Sequence, residues 1–174
     1  MNRFGLTVAA LVLSALAFAP DANAQARFGI AAGLAVPTGD FGDVLSSGFN
    51  VEGSVEFRPA TMPFGLRGDL FYNRFGYDGP DGNFSGFGGA LNALFQMAGI
   101  AATPYIVVGP TVTNLNDSIT DESQTKIGAQ GGIGVKFPLS GFTSKIEARY
   151  GTVFADDENF NMFIINFGIM GGGR

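Results

Sequence analysis

The segment SKIEARYG (Ser144–Gly151) sets Lys145, Glu147 and Arg149 at alternate positions, with Ile146, Ala148 and Tyr150 between or after them. Successive side chains of a β-strand point to opposite faces, so one face here is ionic and the other apolar. The same period of two runs through the chain beyond residue 24. It predicts strands at Arg27–Val36, Phe49–Arg58, Phe64–Phe75, Phe87–Met97, Pro104–Thr113, Lys126–Phe137, Thr143–Val153 and Met162–Met170. No helical period competes with it. Segments of about ten residues suit a tilted strand that crosses a bilayer. The constraint leaves one question, which is whether the ionic or the apolar face meets solvent.

The apolar face carries Phe28, Ile30, Leu34 and Val36 in the first segment and Phe49, Val51 and Val55 in the second. It continues through Leu70 and Tyr72, Phe87 and Leu91, Ile106 and Val108, Ile127 and Ile133, Ile146 and Tyr150, and Phe163 to Ile169. The alternation predicts that this face is free of charge in all eight segments, with Arg74 at the outer end of the third. The opposite face holds Arg27, Glu52, Glu56, Arg58, Arg67, Asp69, Lys126, Lys136, Lys145, Glu147 and Arg149. Gly29, Gly33, Ser54, Gly88, Asn92, Gly109, Gln130, Gly132, Gly134, Asn166 and Gly168 lie between those charges.

A soluble eight-stranded barrel of the lipocalin type is the serious rival, with the apolar face inside and the ionic face in water. Glycine argues against it. A wet strand face favours Thr, Lys and Glu, because Gly weakens a strand without gaining packing. Inside a narrow barrel, small residues make room for long charged neighbours. The reading is therefore an all-β, eight-stranded, antiparallel, up-and-down transmembrane barrel with its charges inside. On the lipid side a mid-depth Lys or Arg costs roughly 2–4 kcal/mol. A tight RPATMP turn sets Arg67 diagonally between Glu52 and Glu56, and Glu147 faces Lys136 across PLSGF. Tyr72, Tyr150, Phe49 and Phe154 fall near strand ends, where aromatic girdles sit.

The connections agree with this. PTGDFGDVLSSG, GYDGPDGNFSG, NLNDSITDESQT and ADDENF follow the odd-numbered strands, and the mostly shorter, uncharged PATMP, AGIAAT and PLSGF follow even-numbered ones. Outer-membrane barrels pair short periplasmic turns with longer extracellular loops. Ten acidic residues collect in the four odd connections: Asp40, Asp43, Asp78, Asp81, Asp117, Asp121, Glu122, Asp156, Asp157 and Glu158. An even strand number returns both termini to the periplasmic side. Residues 1–24 read as a cleaved signal peptide: Asn2 and Arg3, an apolar run, and the small-residue exit ANA before Gln25. A retained membrane anchor is the alternative, but the apolar run is short for a spanning helix. Residues 25–174 form the barrel domain.

Chemistry is sparse. The chain has no Cys and no His, so neither disulfides nor the commonest general base is available. Loop Ser and Asp residues lack a base to activate a nucleophile. GFGGAL and GGIGVK lack the strand-to-helix context and the Lys-Ser/Thr of phosphate loops. DGPDGN and ADDENF offer oxygen ligands of the kind Ca²⁺ takes, although solvated loop tips explain them as well. The net charge of −5 argues against nucleic acid as a partner.

GLAVPTGDFGD (Gly33–Asp43), TPYIVVG (Thr103–Gly109) and SKIEARYG resemble recurrent pieces of the small outer-membrane barrels of Gram-negative bacteria, the OmpA/OmpX-like and opacity-type surface proteins. The resemblance spans the mature chain and rests on pattern rather than on a unique motif. It implies insertion by the barrel-assembly machinery, surface-exposed loops, and contact with outer-membrane lipid and lipopolysaccharide. Family members often end in an aromatic residue, whereas FIINFGIM is followed here by GGGR. No peptidoglycan-binding domain follows the barrel. Some eight- and ten-stranded outer-membrane barrels are enzymes, but those families lean on a catalytic His, which this chain lacks. The functional expectation is a structural or surface-interaction protein that is not an enzyme and takes no cofactor, with a possible extracellular partner at its loops. A narrow or gated pore for ions or small solutes is the alternative, and a soluble periplasmic binder is a third.

Overall fold

A computed structural model describes residues 26–59, 62–78, 82–99, 101–119, 122–155 and 159–172. The signal-peptide segment 1–24 and the acidic positions Asp81, Asp121, Asp156, Asp157 and Glu158 lie outside these residues. Eight strands run in chain order: β1 (Arg27–Thr38), β2 (Gly48–Phe57), β3 (Gly65–Gly76), β4 (Asn83–Gln96), β5 (Thr103–Asp117), β6 (Glu122–Pro138), β7 (Thr143–Val153) and β8 (Phe160–Gly171). Each pairs antiparallel with the next, and β1 closes on β8 from Phe28↔Gly171 to Thr38↔Asn161. Closure leaves the barrel wall without a free sheet edge.

Parity decides what each strand contributes. The β-branched and aromatic residues that favour strands occupy the outward positions, where Ile127, Ile133, Ile30, Leu34 and Leu91 each expose more than 60% of their surface. Apolar exposure this continuous has no counterpart on a water-soluble monomer and matches a wall that faces acyl chains. Inward positions alternate small residues with long ones. A Cβ at Gly134 would run into the Tyr105 ring, and one at Gly168 would lie 3.0 Å from Lys145 Cε. Between β6 and β7 the chain reverses at Gly141, whose φ of 96° is a conformation glycine adopts without a steric cost.

Three expectations need correction here. First, the outward face is not free of charge: Arg74 stands on it, exposed, in β3. Second, β4 begins at Asn83 and not Phe87, β5 runs on to Asp117, and β6 begins at Glu122. The third long connection therefore shrinks to 118–121, and Asp117 and Glu122 sit opposite each other in the β5–β6 ladder. Above the membrane both faces of a strand are wet, so the polarity alternation that marks strands fades while the ladder continues. Third, Arg58 lies beyond the end of β2, exposed, and donates to Gln96 Oε1 at 2.8 Å. It takes no part in the interior.

Candidate functional site

The barrel interior is filled in tiers. Nearest the short connections, Arg27 is half-buried and its Nη2 donates to Thr143 Oγ1 at 2.5 Å. There too the Lys136 ammonium donates to both Glu56 oxygens at 2.7 and 2.6 Å, and lies 5.1 Å from the Tyr105 ring centroid.

The middle tier centres on Arg67 and Glu147, whose side chains are fully buried. Arg67 makes a two-pronged pair with Glu147 at 2.6 and 2.9 Å and also reaches Asp69 at 3.1 Å. The Tyr105 hydroxyl donates to Glu147 at 2.6 Å. Lys145 donates to Glu52 at 3.0 Å. Arg149 contacts Glu52, Asp69 at 3.3 Å and Glu147 at 2.7 Å. Asn92 donates to Asp69 at 2.8 Å, and Gln130 donates to Asn92 at 3.0 Å. These ion pairs join four cations (Arg67, Lys136, Lys145, Arg149) to four carboxylates (Glu52, Glu56, Asp69, Glu147), a formal balance of zero. Buried charges require such pairing, and here Glu52 Oε2, Asp69 Oδ1 and Arg149 Nε and Nη2 meet their partners as ion pairs without a hydrogen bond.

Two expected pairings are overturned. Arg67 stands opposite Glu56 in register, yet its ion pairs go to Asp69 and, across the lumen, to Glu147. Lys136 likewise pairs with Glu56 and not with Glu147, and its register partner is Lys145. In a lumen this narrow, long side chains meet opposite walls as readily as neighbouring strands. Lys126 points inward but is only half-buried near the far end of β6, outside the buried network.

Above the ions, Asn166 donates to Asn50 at 2.5 Å and Asn50 to Asn73 at 2.6 Å. A cavity of about 20 Å³ between this chain, Thr111, Thr113, Gln130 and Arg149 has room for about one water. The outermost tier is apolar. Phe160 meets Phe41, Phe84 and Phe75 at ring-centroid distances of 5.1, 5.2 and 5.6 Å, and Leu45, Val153 and Met162 pack beside them. Phe41 belongs to a short 3-10 turn, Gly39–Asp43, that folds over the mouth. Sequence reasoning passed over this plug and Tyr105, although Phe71, Phe75, Phe84 and Phe160 share the parity of the interior charges.

At the long-connection end, Asp40, Asp43 and Asp78 are exposed, and Asp78 accepts a hydrogen bond from Ser46. Asp117 is half-buried and accepts the Ile119 N–H at 2.8 Å. The Tyr77 phenol is pushed up to about 12, first by burial and then by its hydrogen bond to Asp117. Among the described residues no three His, Cys, Asp or Glu side chains gather in a metal-binding group. The acidic tips of the two suggested Ca²⁺ loops lie largely outside the described residues.

A closed eight-stranded antiparallel barrel with an apolar exterior and a packed interior defines a class, the small transmembrane β-barrel. The pattern of the outer membrane protein beta-barrel domain family matches residues 6–170, and the chain belongs to that family. It is an outer-membrane β-barrel protein. Among solved structures it is similar to Neisserial surface protein A, at 16% identity and a TM-score of 0.67 over 85% of this chain and 97% of that one. It is also similar to a major outer membrane protein from Thermus thermophilus, at 13% identity and 0.58 over 87% and 100%. A third is Ail, the attachment invasion locus protein of Yersinia pestis, at 20% identity and 0.51 over 86% and 99%. These likenesses concern the fold. No curated protein sequence matches the chain.

Proposed function

We propose that the protein is a structural and surface-interaction barrel of the bacterial outer membrane, without catalysis and without a continuous pore. Residues 1–24 direct export and are removed, the barrel-assembly machinery inserts the chain, and both termini face the periplasm. The long connections then face outward, so their acidic side chains are the part that another surface meets. The observation that carries the reading is the two-part filling of the lumen, a balanced ion network capped by the Phe41, Phe75, Phe84 and Phe160 cluster. Buried cations and carboxylates that satisfy one another serve the fold, and the inward cations beyond them, Arg27 and Lys126, stand half-buried toward the two ends of the barrel. Ail has been seen with a heparin analogue, sucrose octasulfate. Here Asp40, Asp43 and Asp78 would repel such a polyanion, so the outward partner we infer is cationic or neutral.

Planar-bilayer recording tests the closed lumen. Purified protein should give no reproducible unitary steps, and stable, ion-selective steps across preparations would overturn the reading in favour of a narrow pore.

A further inference from the structure

Among the described residues every strand pairing runs without a break except β4–β5. That ladder holds as far as Ala90↔Thr111 and resumes at Ala93↔Val108 in the same register, so no residue is inserted. Leu91 and Asn92 therefore stand opposite Pro110 and Gly109 outside the ladder, although β5 stays paired to β6 there, through Gly109↔Gln130 and Pro110↔Ala129. One missing bond accounts for the gap. Proline has no N–H, so the Leu91 carbonyl loses its ladder donor, and the adjoining pair Asn92↔Gly109 is bracketed by that same bond. Within sheets proline keeps to edges, first positions and bulges. Pro110 is none of these, since it stands exposed in mid-strand on a closed wall. A Cβ at Gly109 would run into the Leu91 carbonyl oxygen, so no side chain of β5 stiffens the gap from inside.

The gap also divides the molecule in a particular place. In a ring of eight strands the β4–β5 seam lies opposite the β8–β1 joint, and the two separate a half-wall β1–β4 from a half-wall β5–β8. Buried charge is segregated between these halves. The first holds Glu52, Glu56 and Asp69 with Arg67, a formal charge of −2, and the second holds Lys136, Lys145 and Arg149 with Glu147, a formal charge of +2. Within the buried network Arg67–Asp69 and Arg149–Glu147 stay inside one half. Arg67–Glu147, Lys136–Glu56, Lys145–Glu52, Arg149–Glu52 and Arg149–Asp69 all cross from one half to the other. So do the amide bonds from Gln130 to Asn92 and from Asn166 to Asn50.

We propose that the β4–β5 seam at Pro110 is a hinge between two half-walls of opposite interior charge, and that the ion pairs across the lumen clamp it shut. The seam flexes first because one of its acceptors is already without a donor, whereas elsewhere flexing must break a complete ladder. In a bilayer no water stands outside the wall to meet that carbonyl, so the gap needs a restraint from within. Attraction between the halves supplies it, and the unbroken β8–β1 ladder holds the other joint.

Amide hydrogen exchange of the mature protein in phosphatidylcholine nanodiscs, read residue by residue by NMR, tests both parts. Residues of β5 that share the parity of Pro110 bond toward β4, and those between them bond toward β6. The seam amides of Leu91, Ala93 and Val108 should exchange roughly tenfold faster than those of Val107, Gly109 and Thr111 on the other edge of β5, the factor one hydrogen bond makes in an opening equilibrium. Pro110→Val, or Pro110→Ala should valine lower the folded yield, supplies the missing N–H and should erase the difference. The double variant Glu56→Gln with Lys136→Met removes one crossing pair and should speed the seam amides while leaving the β2–β3 ladder, which lies within one half, unchanged. Equal rates on the two edges of β5 in the wild type, or a difference that survives both Pro110 variants, would overturn the hinge. Equal acceleration of the β4–β5 and β2–β3 ladders in the double variant would overturn the clamp.

Discussion

Replacing Glu147 by Gln removes the hub of the interior. Its two oxygens accept both prongs of Arg67 and the Tyr105 hydroxyl between 2.6 and 2.9 Å, and Arg149 Nε forms an ion pair with it at 2.7 Å, on a side chain with no exposed surface. The amide keeps the volume but loses one acceptor, turns a donor toward two guanidinium groups, and leaves four buried cations facing three carboxylates. Arg67 then retains Asp69 as its close carboxylate partner, while Arg149 retains Glu52 and Asp69. Breaking a buried pair from one side costs about 3–5 kcal/mol, because the partner charge stays desolvated. Removing both partners should be much milder, so the double variant Arg67→Met with Glu147→Leu should recover at least half of that loss. Urea unfolding from phosphatidylcholine vesicles, followed by circular dichroism and gel mobility, measures all the variants. A loss below about 1 kcal/mol, in the range of solvent-exposed pairs, that also varies with salt would refute the argument, since it would mean that the lumen is wet and screened.

Further outcomes follow from the same structure. Ile133→Arg places a charge at mid-height on the outward wall, beside Ile106 and Ala148, and should cost roughly 2–4 kcal/mol in vesicle unfolding. Phe160→Ala should cost about 3–5 kcal/mol by emptying the plug, yet leave planar-bilayer traces free of steps because the ion network below is intact. Gly134→Val should lower the folded yield, since the new side chain collides with Tyr105. The Tyr77 phenol is raised from about 10 in the unfolded chain to about 12. Its contribution is therefore full below pH 10 and lost as pH rises through about 12. The stability difference between wild type and Tyr77→Phe should shrink over that window, as unfolding midpoints taken at both ends would reveal.

The sequence made the barrel legible because lipid enforces a strict rule on one face. Phe28, Ile30, Leu34 and their counterparts keep parity for as long as acyl chains surround them, so strand number, order and facing could be read directly. Where water replaces lipid the rule lapses. Asn83, Asn114, Asn116 and Ser123 look like loop residues although they sit in ladders. Arg74 was placed at the outer end of the third strand, but its parity, shared with Leu70 and Tyr72, was not followed, so the outward face was read as free of charge. The interior charges were visible as a set, but their partners were not. Pairing across a lumen depends on shear and side-chain reach, which adjacent-strand reasoning about Arg67 and Lys136 does not contain. The plug went unseen because an inward Phe and an outward Phe look alike in composition and differ only by one position.

The chain lacks cysteine, so single cysteines can be introduced along β6 without interference and spin-labelled in vesicles. Labels at positions 127, 129, 131, 133 and 135 should collide freely with lipid-soluble oxygen and poorly with a water-soluble nickel complex, whereas a label at 130 should be immobile and shielded from both. Collision rates with the opposite parity, or with no parity at all, would contradict a wall that turns its apolar side chains to the bilayer.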